Sequence, residues 1–333
     1  MTNQFKRILV TGGAGYVGSR LIPKLLSEGY EVSVLDLYIY GRNVFGSLHH
    51  HPHLMEIVGD IRDNEAVKKA MQDCDAVIHL ACISNDPSFD LDPTLGKSIN
   101  LDAFLPLVRT AKECGVKRFI YASSSSVYGV KKEKNVTEDL ALEPLTDYSK
   151  YKADCEKILF QEMTDTFEAM VIRPATVCGY SERLRLDLTV NILTMHAYYN
   201  KKIKVFGGDQ LRPNIHIEDM ADAYLCCLKA KKENIMGKIF NVGYQNLAVR
   251  EIAELVRKQF DEEISIEVVS SDDNRSYHVS SDKIKNELNF TPKYTIENAI
   301  NDLKNAFDKN YVQDPLVNAN YYNIKKMQQI ELR

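Results

Sequence analysis

Short apolar runs rich in β-branched residues alternate with longer amphipathic stretches along the first half of the chain. RILVT is followed by a helical pattern near residues 16–28, and EVSVLD, LMEIV, DAVIHLA, KRFIYAS and EAMVIRP come after it. Runs of this length suit strands, and the helical periodicity between them supplies crossover helices. The alternation predicts βαβ units: an α/β fold with a doubly wound parallel sheet, which binds ligands at the carboxyl ends of its strands. One crossover breaks the rhythm. Between EVSVLD and LMEIV stands YGRNVFGSLHHHPH, which reads as an irregular connection. From about residue 176 short elements (KIKVFGG, KIFNVG, ISIEVVS) mix with helical patterns at 249–260 and 295–308, predicting a smaller mixed α/β lobe fed by several excursions. The expected division is residues 1–175 plus returning segments near 213–243 for the first domain, and 176–212 with 244–333 for the smaller lobe.

Composition narrows the class without changing this picture. With 333 residues, 44% of them hydrophobic and 26% charged, the chain can bury at least one large core. No apolar run is long enough for a membrane span, and MTNQFKR leads directly into the first strand pattern, so the expectation is a cytoplasmic protein without a signal peptide. A net charge of −4 gives no global reason to bind nucleic acid or an acidic membrane. The seven cysteines contain no CxxC, which suggests reduced thiols rather than a zinc site or a disulfide framework. The run His49, His50, His51 and His53 reads as a surface loop, and no metal is expected.

Chemistry first enters at TGGAGYVGS, directly after the first strand pattern. Gly13, Gly15 and Gly18 satisfy GxGxxG, and Gly12, Gly15 and Gly18 satisfy GxxGxxG. Glycines at a strand-to-helix turn let the backbone approach a pyrophosphate, and the free N–H groups of the following helix face that anion. Asp36 ends EVSVLD 18 residues after Gly18, where an acid accepts the hydroxyls of an adenosine ribose and repels a 2′-phosphate. NAD is therefore expected rather than NADP. Asp60, in EIVGDIRD, either binds adenine or caps the helix starting near Asn64.

A tyrosine with a lysine four residues on occurs five times: Tyr128/Lys132, Tyr148/Lys152, Tyr198/Lys202, Tyr321/Lys325 and Tyr322/Lys326. The spacing alone means little among 18 tyrosines. A working pair must share a helical face, so that the ammonium favours the phenolate, and must reach the carboxyl edge of the sheet. Tyr148/Lys152 meets both requirements, because DYSKYKADCEKILFQEM lies at a crossover between the YAS and VIRP strands.

In this order, TGGAGYVG, the Asp36 strand end, VGDIRD, DAVIHLA, YASSSSVYG, YSKYKADCE, RPNIHIEDMADAY and RSYHVSSDKIKNELNFTP resemble the extended short-chain dehydrogenase/reductases that modify nucleotide-activated sugars, typified by UDP-galactose 4-epimerases. The likeness covers roughly residues 7–308; the last two dozen carry no recognised motif. It implies a Rossmann domain, a sugar-nucleotide lobe, tightly held NAD, and a homodimer formed through the helix after Asn100 and the helix bearing Tyr148. It also implies a catalytic set of Ser124, Tyr148 and Lys152. Tyr148 would take the proton of a sugar hydroxyl at C4, Lys152 would hold the phenolate and the nicotinamide ribose, and Ser124 would bond the reacting oxygen. Cofactor contacts are expected from Gly12, Gly15, Tyr16, Val17, Gly18, Asp36, Asp60, Ile61, Leu80, Ala81, Asn100 and Lys152. Substrate contacts are expected from Ser124, Ser125, Ser126, Tyr148, Thr176, Arg185, Arg212 and Arg275; Arg212 and Arg275 would clamp the diphosphate. Asn100 reads equally as a helix cap, and Arg183 and Arg185, which could reach the nucleotide or substrate, read equally as solvated loop charges. Thr176 stands where asparagine is typical of the family, and Cys178 where tyrosine is common.

The family's 4,6-dehydratases carry an Asp-Glu pair at the places of Ser125 and Ser126, and a serine has no ionisation near neutrality with which to do that work. The expectation is an epimerase working through a 4-keto intermediate. The alternatives are net oxidation at C4, for example of a GDP-heptose, then dehydration, then a non-catalytic NAD-binding regulator.

Overall fold

The computed structural model describes residues 4–84, 86–270 and 278–330. The first six strands are β1 (Arg7–Thr11), β2 (Glu31–Asp36), β3 (Leu54–Val58), β4 (Ala76–His79), β5 (Arg118–Ala122) and β6 (Glu168–Pro174). The remainder are β7 (Thr176–Cys178), β8 (Lys202–Phe206), β9 (Leu211–His216), β10 (Ile239–Val242), β11 (Gln245–Ala248) and β12 (Ser265–Val269). Seven of them form one parallel sheet in the order β10-β6-β5-β4-β1-β2-β3. Alternation along each strand sends Val10, Val34, Ile78, Ile120 and Ile172 into the core on one face, and Leu9, Leu35, Val77, Phe119 and Val171 into the core on the other. Burial on both faces is why these strands read as unbroken apolar runs.

The order reverses at β1. Crossovers from β1 build outward to β2 and β3, and the later strands build the other way from β4, so helices diverge above the carboxyl ends of β1 and β4. That divergence opens the crevice where such sheets bind ligands. The irregular link between β2 and β3 contains a 3-10 helix, Asn43–His50, broken at Gly46 with φ 52°. Its Val44 and Phe45 bury against the first core. Within the histidine run, His49 pairs with Glu56.

The smaller lobe carries a three-stranded sheet, β11-β9-β7, and a parallel pair, β12-β8. Helices Thr189–Asn200, Val249–Lys258 and Ile296–Asp308 enclose a separate core around Ile203, Val205, Ile252 and Ile300. The chain crosses between lobes more than once. After β9, helix Ile217–Lys229 packs on helix Gly18–Ser27, where Glu218 pairs with Arg20 and Asp222 with Lys24, and β10 completes the edge of the large sheet. The C-terminal helix Asn323–Gln329 packs beside helix Asp86–Phe89 of the first lobe. Among the described residues no helix is long and apolar enough to cross a membrane.

Candidate active site

At the end of β1 the chain turns with Gly12 at φ 69°, where an added Cβ would stand 2.6 Å from the Ala81 nitrogen. Gly18 opens the following helix, and a Cβ there would collide with the Gly13 carbonyl. Any side chain at either position forces the turn open. Asp36, at the carboxyl end of β2, accepts the Ala14 N–H at 3.0 Å and the Tyr38 N–H at 2.7 Å. Burial pushes its carboxyl up, partly offset by those N–H groups and by the nearby Arg183 guanidinium. Tyr16, Val17, Leu80, Ala81, Asp60 and Ile61 line the same cavity of 470 Å³ as Gly12, Gly15, Gly18 and Asp36.

The far part of that cavity holds the catalytic candidates. Helix Asp147–Gln161 starts with a capping box in which Thr146 and Ser149 bond each other's backbone, so Tyr148 projects from its first turn. Lys152 follows one turn later, is 4% exposed, and donates to the Ala122 carbonyl at 2.7 Å, at the end of β5. Its ammonium lies 5.9 Å from the centre of the Tyr148 ring. Beyond β5, Ser124 caps a short 3-10 turn, Ser125–Tyr128. The Ser126 hydroxyl donates to the Ser124 oxygen at 2.8 Å, and the Ser126 N–H caps on the same oxygen at 3.1 Å. Ser124, Ser125, Ser126, Tyr148 and Lys152 all face the cavity. Ser123 has a different fate: buried, it donates to Glu156, which pairs with the buried Arg173.

The other expected residues divide between the cavity wall and supporting positions. Asp60 caps no helix; it pairs with Arg62 at 2.6 Å, and Asp63 caps helix Asn64–Met71. Asn100 neither caps a helix nor lines the cavity. Its buried amide clamps the backbone of Ile83, accepting from the N–H and donating to the carbonyl, each at 2.9 Å, so it holds the loop after β4 in place. Arg185 lines the cavity with its guanidinium engaged in a two-point pair with Asp187. Thr176 and Arg212 line it as well, and Arg212 donates to the Leu211 carbonyl. Arg275 lies outside the described residues.

Tyr40, Ser84 and Asn323 also line the cavity and went unread as site residues in the sequence, whereas Arg183 was open between reaching the nucleotide or substrate and being a solvated charge. Tyr40, Ser84 and Arg183 meet Asn323 of the C-terminal helix, which enters the cleft from a segment with no recognised motif. Only Arg183 carried a signal, its alternate spacing with Arg185, and that spacing is equally met by solvated charges.

Residues 8–243 match the NAD dependent epimerase/dehydratase family. The chain is 30% identical over 273 residues to a UDP-glucose 4-epimerase of Lactobacillus helveticus, covering 75% of this chain and 81% of that one. It is 29% identical over 322 residues to UDP-arabinose 4-epimerase 1 of Arabidopsis thaliana, covering 86% and 76%. Among solved structures, a UDP-glucuronic acid 4-epimerase from Bacillus cereus, in complex with UDP-glucuronic acid and NAD, superposes with a TM-score of 0.82 at 26% identity, covering 92% of this chain and 100% of that one. A dTDP-glucose 4,6-dehydratase from Streptomyces venezuelae shares the fold, with a TM-score of 0.83 at 23% identity over 93% and 99%. A glycine-rich turn after β1, an acid closing β2 and a tyrosine-lysine pair on the helix between β5 and β6 thus accompany a family match over most of the chain, which belongs to the NAD dependent epimerase/dehydratase family.

Proposed function

We propose that this protein epimerises C4 of a nucleoside-diphosphate sugar through a 4-keto intermediate. One observation carries the reading: Tyr148, Lys152 and Ser124 share a cavity with the dinucleotide turn, and no carboxylate stands on the segment 122–126 beside them. The described carboxylates lining the cavity are Asp36, Asp60 and Asp187; the first accepts backbone N–H groups, and the other two are paired with Arg62 and Arg185. Dehydration needs an acid and a base at the sugar's C5 and C6, and hydroxyls cannot supply them.

The residues fit NAD. The turn at Gly12 and Gly18 admits backbone but no side chain, and Asp36 presents a half-buried carboxylate where an adenosine ribose would lie. When bound, the nicotinamide supplies hydride acceptance and return. Tyr148, as phenolate, takes the proton of the C4 hydroxyl and returns it after the keto sugar has presented its other face. Lys152 stabilises that phenolate by its charge. Ser124 bonds the reacting oxygen, its own orientation fixed by Ser126. Arg212 and Arg185 suit the sugar nucleotide's diphosphate, with Thr176 beside them. Helices Phe104–Glu113 and Asp147–Gln161, which pack together, are the proposed surface of a homodimer.

A panel of UDP-, GDP-, CDP- and dTDP-sugars, followed by product mass and nicotinamide absorbance, tests the reading. Unchanged mass with inverted C4 and no accumulated NADH is expected. Loss of two hydrogens identifies a dehydrogenase, and loss of water a dehydratase; either result overturns the proposal.

A further inference from the structure

Arg183 sits on the stretch between β7 and helix Thr189–Asn200, in the smaller lobe, yet it reaches the cofactor side of the cleft. The Tyr16 hydroxyl, from the glycine-rich turn, donates to the Gly179 carbonyl at 2.6 Å and holds this stretch down over the turn. Arg183 is 4% exposed and lines the cavity. Its guanidinium carbon stands 3.5 Å from the centre of the Tyr40 ring, and one terminal nitrogen donates to the Asn323 side-chain oxygen. Among the described residues, Nε and the other terminal nitrogen have no hydrogen-bond partner. Burial holds its pKa down to about 10, so it remains a cation at neutral pH.

A buried guanidinium with unused N–H groups is costly unless an anion meets it. The neighbouring acids have other partners: Asp36 accepts two backbone N–H groups, and Asp187 is paired with Arg185. The anion that the glycine-rich turn and its helix are shaped to bring there is a diphosphate. Asn323 makes the arrangement rigid. Its side-chain oxygen accepts from Arg183 and from the Tyr40 hydroxyl, its amide donates to Ser84 at 2.8 Å, and its backbone N–H donates to Asp187 at 3.1 Å.

We propose that Arg183, held by Asn323 of the C-terminal helix, bonds the diphosphate of the dinucleotide on the glycine-rich turn and retains the cofactor from the opposite lobe. The inference rests on the cofactor lying across that turn, as in the function proposed above. Phosphoryl oxygens reach this cleft from two sources, the cofactor and the sugar nucleotide, and Arg183 is assigned to the first because its stretch is tied to the glycine-rich turn by the Tyr16 hydroxyl and its guanidinium lies over Tyr40, on the segment that follows β2.

The test uses the full chain stripped of nucleotide, with the variants Arg183→Met, Arg183→Lys and Asn323→Ala. Binding of NAD, ADP-ribose, adenosine and a UDP-sugar is measured by calorimetry, alongside the nucleotide content of the proteins as purified. Arg183→Met should bind NAD and ADP-ribose about 10- to 100-fold more weakly, with adenosine unchanged, since a charged hydrogen bond to the diphosphate is lost. Arg183→Lys and Asn323→Ala should shift the same two ligands less. Should Arg183→Met fail to fold, the ratio of ADP-ribose to adenosine binding in Asn323→Ala decides the matter. Wild-type NAD affinity in Arg183→Met, equal losses for adenosine and ADP-ribose, or a loss confined to the UDP-sugar each overturns the proposal. Failure of the wild-type protein itself to bind NAD rejects the cofactor reading beneath it.

Discussion

Ser124 carries two loads, its oxygen accepting both the Ser126 N–H that it caps and the Ser126 hydroxyl, so both lone pairs are used and its proton is left to donate in a direction those two bonds fix. Such orientation matters because a hydrogen bond to a reacting oxygen acts only over a narrow range of distance and angle. On the proposed mechanism, Tyr148→Phe lowers turnover about 100- to 10,000-fold, the usual contribution of a positioned acid-base group, and leaves bound nucleotide unchanged. Near-normal turnover would reject the assignment. His79 provides a different residue-scale test. It ends β4 at 4% exposure, shares a 2.7 Å hydrogen bond with Thr11, and stacks 5.8 Å from Tyr121. Burial, helped by the Lys152 charge, lowers its pKa from 6.5 to about 3. Between these values the unfolded chain takes up a proton that the native protein refuses, so stability is full above about pH 6.5 and falls on acidification. At pH 5.5 this one site costs on the order of 1 kcal/mol. Denaturant titrations of wild type and His79→Asn at pH 7.5 and 5.5 should show that much less acid loss in the variant.

Helix Asp147–Gln161 shows what a single element contributes. Tyr148, Lys152 and Glu156 recur four residues apart and so share one face. The first two face the cavity, while Glu156, 3% exposed, meets Ser123 and Arg173 underneath. Arg173 passes the network to Tyr128, whose hydroxyl donates to Asn241 of β10 at 2.7 Å. One helix face thereby joins the chemistry to three strands. Removing one member of a buried ion pair strands the other, so Glu156→Gln should destabilise the fold by about 3–5 kcal/mol in urea unfolding, and adding Arg173→Met should recover much of that loss. The Tyr148/Lys152 pair and the glycine-rich turn were legible in the sequence because their chemistry rests on local spacing within one helix or one turn. What Asn100 does was not legible, for the complementary reason. Its partner, the Ile83 backbone, lies on another element, and only the folded loop shows that both ends of the amide are occupied.

At the scale of the molecule, the lobes meet over the cofactor turn. The Tyr16 hydroxyl donates to Gly179 and accepts from Asn191 at 3.0 Å, and the salt bridge from Arg20 to Glu218 lies close behind. Tyr16→Phe leaves those buried groups short of a partner and should cost about 1–3 kcal/mol, read as a lowered denaturation midpoint with an unchanged slope. The sheet was predictable from alternation, whereas the return of Asn323 to the cleft was not, since polar residues in a motif-free segment look the same whether they fill a site or face water. The strand order bears on how the protein is made. β6 follows β5 directly in the sheet, but its outer neighbour β10 is separated from it in sequence by β7, β8, β9 and the helices among them. During synthesis the backbone groups along that edge of β6 emerge well before the strand that pairs with them. An unpaired, largely apolar edge invites pairing with other nascent chains. Faster translation shortens that interval, and slow passage through residues 175–238 prolongs it, so the yield of native enzyme should depend on the pace of the ribosome through a segment that contributes no strand to the large sheet.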